Sequence, residues 1–277
     1  KKDAPPIPCV RYSPASSNTK NVLICSTGDG EIQYWHVPSK KKIFEIKEDN
    51  EILALDYSMN SEFFASAGKD KIVRVYEEKT KSLLVELQRG LGSRDSDGHS
   101  GRIFCVKFHP KNPNMILSTG WDDTIHVWDI RAGMSVKKWG GAHVCGDSMD
   151  VFEDVVITGS WRERNGLQVW NLADGKLIRE IDYHSAEKKK EELTDHIYGA
   201  CFNYDGSKFA AGGSHTNEVR VYDVRNHFRR SQRIKTKGKG IYTVTFSSNG
   251  KYIAAGSQCG WATICDLNPP DPEDEED

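Results

Sequence analysis

Short runs in which every second residue is apolar recur along the whole chain, and turns rich in Gly, Pro, Asn and Asp separate them. Two examples are Val106-Lys107-Phe108-His109-Pro110 and Ile125-His126-Val127-Trp128-Asp129. An alternation of period two is typical of β-strands with one buried face, and the turn residues mark where each strand ends. The pattern therefore predicts an all-β protein made of many short strands, with no long helices.

Six of these runs end on an aromatic or similar residue that is followed, in most cases, by a polar one. These anchor positions are Trp35, Tyr76, Trp128, Trp170, Tyr222 and Cys265. They are separated by 41, 52, 42, 52 and 43 residues. This period fits a propeller blade of four short strands, with insertions in two of the repeats.

Two further strands precede each anchor in the same order. The nearer one ends on small residues and glycine, as in Ser66-Ala67-Gly68, Ser118-Thr119-Gly120 and Ile157-Thr158-Gly159. The earlier one ends on an aromatic residue and a turn, as in Val10-Arg11-Tyr12-Ser13-Pro14. The repeat therefore predicts strands a, b and c of each blade, with the anchor in strand c.

The third repeat resembles a WD repeat, because it combines Gly98-His99, Ser118-Thr119-Gly120, Asp122 and Trp128-Asp129. The resemblance to the WD-repeat family extends from about Ile7 to Asp266. It implies an all-β β-propeller of six four-stranded antiparallel blades, which we place near residues 7–51, 52–102, 103–147, 148–196, 197–240 and 241–270. Residues 1–270 are then one propeller domain.

In this family a His, a Ser or Thr, an Asp and a Trp of one blade form a hydrogen-bonded chain. The resemblance assigns these places to His99, Ser118 or Thr119, Asp122 and Trp128. Asp29 and Asp70 precede Trp35 and Tyr76 by six residues, as Asp122 precedes Trp128, so they are expected to fill the same position. The last three repeats carry Arg164, Thr216 and Cys259 there, and we expect those blades to lack the full chain.

Composition narrows the functional classes. Lys and Arg number 38 against 40 Asp and Glu among 277 residues, a net charge of −2 that argues against a dedicated nucleic-acid binder. No apolar run approaches the roughly 20 residues of a membrane-spanning helix. The seven cysteines form no CxxC pair. We expect reduced, buried thiols in a cytoplasmic or nuclear protein that is not secreted.

Charged runs punctuate the repeats. Lys40-Lys41-Lys42, Lys188-Lys189-Lys190 and the residues from Arg229 through Lys239 are basic clusters, which we predict to lie in loops. They are interpreted as solvated loop charge, with phosphate or acidic-partner binding as the alternative. Residues 271–277 hold six carboxylates in seven positions and predict a disordered acidic tail that could dock on a basic surface.

A search for catalytic motifs finds no HExxH, Walker A, GxSxG or GxGxxG pattern in a strand-to-helix context. His143 and Cys145 lie close in sequence, and a Cys nucleophile with a His base is conceivable. The competing interpretation makes His143 a blade-linking residue and Cys145 a buried thiol. We predict a non-enzyme that needs no metal and no cofactor.

Antiparallel order brings the d–a and b–c connections of every blade to one end of the propeller, the top face. By resemblance to the family, the second residue of strand a lines the mouth of the central channel there, and the residues of interest are Phe104, Tyr198 and Tyr242. The b–c turns add Lys69, Trp121, Trp161, Arg162, Arg164, His215 and Trp261. Because Trp, Tyr and Arg dominate binding hot spots, we expect partners to bind here. In the alternative interpretation these tryptophans bind no partner, and each packs onto its neighbouring blade.

Three functions remain open. The first is a protein–protein interaction scaffold or adaptor that grips peptide segments on the top face, with an apolar or Arg side chain entering the channel. The second is a structural subunit of a coat, cytoskeletal or ciliary assembly. The third is a reader of phosphorylated or acidic ligands through the basic clusters. Each implies protein or peptide partners, a multi-subunit complex in the second case, and no membrane insertion.

Closure of the ring is a separate question. Family members most often have seven blades, whereas six repeats are visible and the sixth stops after strand c. Pro5, Pro6 and Pro8 make residues 1–7 a poor outer strand. A strained six-bladed ring, a missing upstream blade, and an open ring completed by a partner are the three hypotheses.

Overall fold

The computed structural model describes residues 4–14, 21–88, 98–162, 166–183, 196–214, 217–238 and 240–268. These residues form 23 strands, which hydrogen-bond into six antiparallel sheets. In the part of the chain so described, no helix is long and apolar enough to cross a membrane. The prediction of an all-β propeller is confirmed.

Each of the first three blades is a four-stranded sheet whose strands follow one another in sequence. Blade one comprises β1 (Val10–Tyr12), β2 (Val22–Ser26), β3 (Glu31–His36) and β4 (Lys41–Lys47). Blade two comprises β5 (Ile52–Tyr57), β6 (Phe63–Gly68), β7 (Val73–Glu77) and β8 (Leu83–Leu87). Blade three comprises β9 (Ile103–His109), β10 (Asn112–Gly120), β11 (Thr124–Asp129) and β12 (Met134–Gly140).

Blades four and five repeat this arrangement, and blade six has three strands among the described residues. Blade four comprises β13 (Met149–Phe152), β14 (Val155–Gly159), β15 (Leu167–Asn171) and β16 (Leu177–Ile181). Blade five comprises β17 (Ile197–Phe202), β18 (Lys208–Gly213), β19 (Glu218–Asp223) and β20 (Arg229–Lys235). Blade six comprises β21 (Ile241–Phe246), β22 (Tyr252–Ser257) and β23 (Ala262–Asp266).

The core lies between the blades. Each of the five clusters of buried apolar side chains draws its members from two consecutive sheets, from blades one and two through to blades five and six. Ile103 and Trp128 of blade three, for example, pack with Val75 and Leu87 of blade two. Since a single sheet cannot bury both of its faces, every blade depends on its neighbours.

Glycines at the ends of the second strands allow the backbone just before the first strand of the same blade to pass very close to them. A Cβ on Gly68 or Gly120 would lie 2.0 or 1.9 Å from the carbonyl oxygen of Glu51 or Arg102. Those carbonyls immediately precede the first strands of blades two and three. Glycine recurs at this point because any side chain would push the incoming strand away.

The outermost strands carry the exposed charge. Arg229–Lys235 is strand β20, and Lys41 and Lys42 belong to β4, so the prediction that these basic residues lie in loops was wrong. Lys188-Lys189-Lys190 lies outside the described residues. Charged side chains on an outer strand discourage edge-to-edge pairing with other sheets, which accounts for them structurally.

Blades six and one expose apolar side chains on faces that, in the other blades, pack against a neighbouring blade. On blade one Tyr12 is 64% exposed and Val10 is also exposed, while on blade six Ile264 is 71% exposed and Tyr252 is exposed too. None of the apolar clusters formed by the described residues spans blades six and one. We call this region, between β21–β23 and β1–β4, the seam.

Candidate functional site

A buried chain of polar side chains runs through blade three. His99 Nδ1 lies 2.8 Å from Asp122 Oδ2, and His99 Nε2 lies 2.7 Å from Ser118 Oγ. Trp128 Nε1 donates to the same Ser118 oxygen at 2.7 Å. Ser118, rather than Thr119, therefore connects the imidazole with the indole, and every member of the chain finds a partner without water.

Blade two builds a comparable chain from different residues. Glu48 takes the place of the histidine, since it precedes Ile52 by four residues as His99 precedes Ile103. Its carboxylate accepts hydrogen bonds from Ser66 and from Tyr76 Oη at 2.9 Å. Burial raises the pKa of Glu48, while Ser66 and Arg74 oppose that rise. Arg74 then joins Glu48 to Asp70, so Asp70 reaches the chain through a cation.

In blade one the expected members make separate contacts. Trp35 Nε1 donates to Gln33 Oε1 at 3.1 Å, and Thr27 Oγ1 donates to Asp29 Oδ1 at 2.6 Å. Cys25 stands where Ser118 stands in blade three, because it lies two residues beyond the strand partner of the anchor. A thiol is a weak acceptor, and the indole donates to Gln33, while its interaction with Cys25 opposes the rise in pKa that burial gives this thiol.

An ion network lies in the central channel below the top face. Arg11 Nη2 of blade one lies 2.7 Å from Asp147 Oδ2, which directly precedes blade four, and Lys107 Nζ of blade three lies 3.0 Å from Asp147 Oδ1. Arg11 also contacts Asp56 of blade two at 3.4 Å. Because blades one and four are not neighbours, these side chains meet in the central space. Burial would raise the pKa of Asp147, but Arg11 and Lys107 hold it well below its ordinary range.

The top face of blade three presents stacked aromatic rings. The ring centroids of Phe104 and Trp121 are 5.1 Å apart, and Trp121 stacks on His143 at 6.0 Å with an interplanar angle of 13°. The Arg102 guanidinium lies over the Trp121 ring at 5.6 Å. Trp121 is nevertheless 41% exposed, so these contacts fix its orientation without covering it.

The same surface continues over blades four to six. Trp161 packs on His196 at 4.8 Å and donates from Nε1 to Tyr198 Oη at 2.8 Å. Tyr198 meets Tyr242 edge to face at 5.0 Å. Trp161 N donates to His143 O at 2.8 Å, which joins this half to blade three. We name the eight residues together the aromatic arc: Phe104, Trp121, His143, Trp161, His196, Tyr198, Tyr242 and the Arg102 that lies over Trp121.

A salt bridge network holds the middle of the arc. His143 Nδ1 lies 2.7 Å from Asp123 Oδ1, and Arg162 Nη2 lies 2.5 Å from Asp123 Oδ2. Asp123 has a φ of +60°, which lets the turn point its carboxylate towards blade four. Arg162 is thus engaged by a carboxylate of the protein itself, although more than half of its side chain remains exposed.

Lys69 and Trp261 lie apart from the arc. Lys69 Nζ is 3.8 Å from Glu51 and lines a cavity of about 850 Å³ between blades one and two, whose other walls include Asp29, Asp49 and Asp70. Trp261 is 58% exposed on blade six and makes no ring contact with the arc among the described residues. Arg164 and His215 lie outside the described residues.

The structure gives His143 and Cys145 different surroundings. His143 is engaged by Asp123 and Trp121, while Cys145 is half-buried beside Trp121. Burial raises the pKa of the Cys145 thiol, which disfavours the reactive thiolate. No hydrogen bond joins the two side chains in the described part of the chain, so the geometry offers no activated nucleophile.

The one group of side chains with metal-ligand character that the described residues provide is His99, Asp122 and His126 of blade three. Their ligand atoms lie within 4.8 Å of one another. Both nitrogens of His99 are already bound, to Asp122 and Ser118. A metal there would have to break the chain that satisfies Trp128, and we assign the group a structural role.

Sequence reasoning missed His196 and Arg102, and it considered His143 as a link between blades or as the base of a Cys nucleophile, not as part of an aromatic surface. Each lies immediately beside a first strand or a connection at the top face, so the strand assignment alone could have pointed to them. It could not have shown which rings meet, because those contacts depend on the relative tilt of neighbouring blades.

Comparison with known proteins agrees with the repeat. The sequence profile described as "WD domain, G-beta repeat" matches residues 40–77, 93–129, 187–223 and 230–266, together more than half of the chain. The chain belongs to the WD-repeat family. Each matched segment ends one residue beyond an anchor position, so the profile follows the same strand order as the blades described above.

Two kinds of protein are among the relatives of this chain. The chain is 23% identical over 261 residues to a guanine nucleotide-binding protein subunit beta of Arabidopsis thaliana, covering 88% of this chain and 65% of that protein. It is 27% identical over 246 residues to pre-mRNA-processing factor 19 of Oryza sativa subsp. japonica, covering 85% of this chain and 43% of that protein. The chain therefore spans less than two thirds of either relative.

Proposed function

We propose that this protein is a non-catalytic interaction scaffold that binds peptide segments of other proteins across its top face. The observation that supports this is the aromatic arc, in which Trp121, Trp161 and Tyr242 remain exposed although their neighbours fix them. Rigid, partly exposed aromatic rings provide large contact areas at a low entropic cost, which is why they dominate binding hot spots.

The geometry changes how such a peptide would bind. Arg11, Asp147 and Lys107 already bridge the channel below the arc. A deep insertion of an Arg side chain would have to displace that network, so we favour a ligand that lies on the arc and inserts apolar side chains between its rings. The similarity to a guanine nucleotide-binding protein subunit beta and to pre-mRNA-processing factor 19 supports a protein-binding role only at the level of the family.

A pair of substitutions tests the proposal. Trp121→Ala with Tyr242→Ala removes two exposed rings of the arc, and Tyr204→Ala is the matched control because Tyr204 is 72% exposed in an a–b turn at the opposite face. Peptides selected from a random displayed library on the unaltered protein should lose at least tenfold in affinity for the double variant. They should keep their affinity for Tyr204→Ala.

Equal binding to both variants would contradict a top-face site. The denaturation midpoint should change little in either case, because the removed rings are largely exposed. A fall in binding that accompanies a large loss of stability would likewise count against the arc as the binding surface.

The seam supports a second candidate, a structural subunit whose ring is completed by a partner sheet. Tyr12 and Ile264 are exposed apolar residues on its two walls. In that case Tyr12→Lys with Ile264→Lys should abolish assembly, while the arc variants assemble normally. The opposite result favours the scaffold.

A further inference from the structure

The outer strand of blade five is a basic surface. β20 and its flanking turns expose Arg225, Arg229, Arg230, Lys235 and Lys237. Within the described residues none of these five cations pairs with a carboxylate, whereas Arg233 is paired with Glu218 at 2.8 Å. We call these five residues the basic strip.

The chain leaves blade six directly beside the basic strip. Gln232 Nε2 of β20 donates to Leu267 O at 2.8 Å, and the Leu267 side chain is buried among residues of blades five and six. Blades three and four show the same relation, since Lys137 Nζ donates to Leu172 O at 2.7 Å. Leu267 is therefore anchored by a recurring contact, and residue 268 starts next to β20.

The sequence that follows does not suit an outer strand. In blade three the fourth strand begins six residues after Trp128, and the same spacing from Cys265 leads to Asp271. Fourth strands elsewhere bury an apolar residue, such as Leu87 or Ile181. Residues 271–277 contain a proline, six carboxylates and no apolar side chain, so they cannot replace that contact.

We propose that the acidic segment of residues 271–277 docks on the basic strip of the same chain and screens it from other acidic ligands. Six carboxylates face five unpaired cations. Nine residues beyond Asn268 can extend about 30 Å, whereas a seven-residue strand such as β20 is roughly 23 Å long. The segment therefore reaches every cation of the strip without any change in the blades.

This docking needs no regular structure in the acidic segment. Contacts between exposed charges contribute little individually and weaken with salt, so the segment holds the strip by several exchanging ion pairs. Tethering at Leu267 keeps its effective concentration in the millimolar range, which compensates for the weakness of each pair. The proposal concerns the side of the propeller and is independent of ligand binding at the arc.

Zero-length carbodiimide cross-linking of the full chain tests the contact. We expect intramolecular cross-links from residues 271–277 to Lys235 and Lys237, and to position 230 in the variant Arg230→Lys. Lys79 and Lys138 are exposed controls on blades two and three. Cross-links spread evenly over the control lysines, or formed only between two copies of the chain, would overturn the proposal.

Competition with poly-L-glutamate tests the screening. Replacing all six carboxylates by Asn or Gln should strengthen poly-L-glutamate binding about tenfold at low salt. Adding Arg229→Gln, Arg230→Gln and Lys235→Gln should remove that gain, whereas Lys41→Gln with Lys42→Gln on β4 should leave it in place. Equal affinity of the unaltered and neutralised chains would show that the segment does not cover the strip.

Discussion

Blades two and three each connect buried polar side chains by hydrogen bonds, and they use different residues to do so. Blade three uses His99 and Ser118 to reach Trp128, whereas blade two uses Glu48 and Ser66 to reach Tyr76. In blade three the Ser118 hydroxyl connects the imidazole with the indole of the anchor, whereas in blade two the Glu48 carboxylate accepts from Ser66 and Tyr76 directly. In blade three, Ser118 is therefore the residue whose loss leaves both His99 and Trp128 without a partner.

Ser118→Ala should destabilise the protein by about 2 kcal/mol, because it leaves His99 Nε2 and Trp128 Nε1 without a partner in a buried site. Urea unfolding followed by tryptophan fluorescence measures the change in the free energy of unfolding. Ser82→Ala is the control, since Ser82 makes only exposed contacts with Thr80 and the turn, and it should cost less than about 0.5 kcal/mol. Similar losses for the two variants would contradict this account.

The difference in the pKa of His126 between the folded and unfolded chains predicts how the free energy of unfolding depends on pH. Burial, and after it the nearby His99 and Lys138, lower the pKa of His126 to about 3, although Asp122 opposes the shift. An unfolded chain protonates this histidine near pH 6.5, while the folded chain keeps it neutral. Its contribution to stability is therefore complete above about pH 6.5 and is lost as the pH falls towards 3.

His126→Gln should reduce the decline in unfolding free energy between pH 6.5 and 4 by up to about 1.4 kcal/mol per pH unit. Chemical denaturation at half-unit pH intervals, with the unaltered protein beside the variant, gives the difference. Parallel curves for the two proteins would show that His126 titrates alike in the folded and unfolded chains.

At the level of strands, the sequence predicts the features that recur in every blade, and it does not predict the contacts that occur in one blade only. The anchors and the glycines after the second strands locate most of the 23 strands, since both are imposed by the same packing in every blade. The basic residues of β20 were assigned to a loop because charge is more usual in turns than on strands. Ring contacts such as that of Trp161 with Tyr198 join residues 37 positions apart and leave no periodic trace.

The ion network in the central channel connects strands of different blades, because Asp147 joins strands of blades one and three to blade four. Asp147→Asn should destabilise the protein by roughly 2 kcal/mol, since Arg11 and Lys107 keep their charge in a partly buried site without this counter-ion. Asp174→Asn removes an exposed partner of Lys176 and should have almost no effect. Thermal or urea unfolding distinguishes the two, and equal stabilities would rule out a bracing role.

For the whole molecule, stability depends on each blade having two neighbours. Blades two to five are covered on both sides by buried clusters, whereas blades one and six each share only one among the described residues. Blade six also has one strand fewer there than the other blades. In a protein built from nearest-neighbour contacts, such a unit opens at a lower free energy than the rest.

Hydrogen exchange should reveal this order. Backbone amides of β21–β23 form antiparallel pairs like those of β9–β12, so the number of hydrogen bonds alone predicts similar protection. Because blade six is packed on one side only, we expect its amides to exchange at least tenfold faster than those of blade three. Mass spectrometry of peptides covering 241–266 and 103–140 measures both in one sample.

Addition of a partner that fills the seam would slow exchange selectively in blades six and one, whereas a ligand of the arc would protect the top-face turns of blades three to six. Equal protection of blades three and six in the isolated chain would contradict the open seam, since it would require cover that the described residues do not provide.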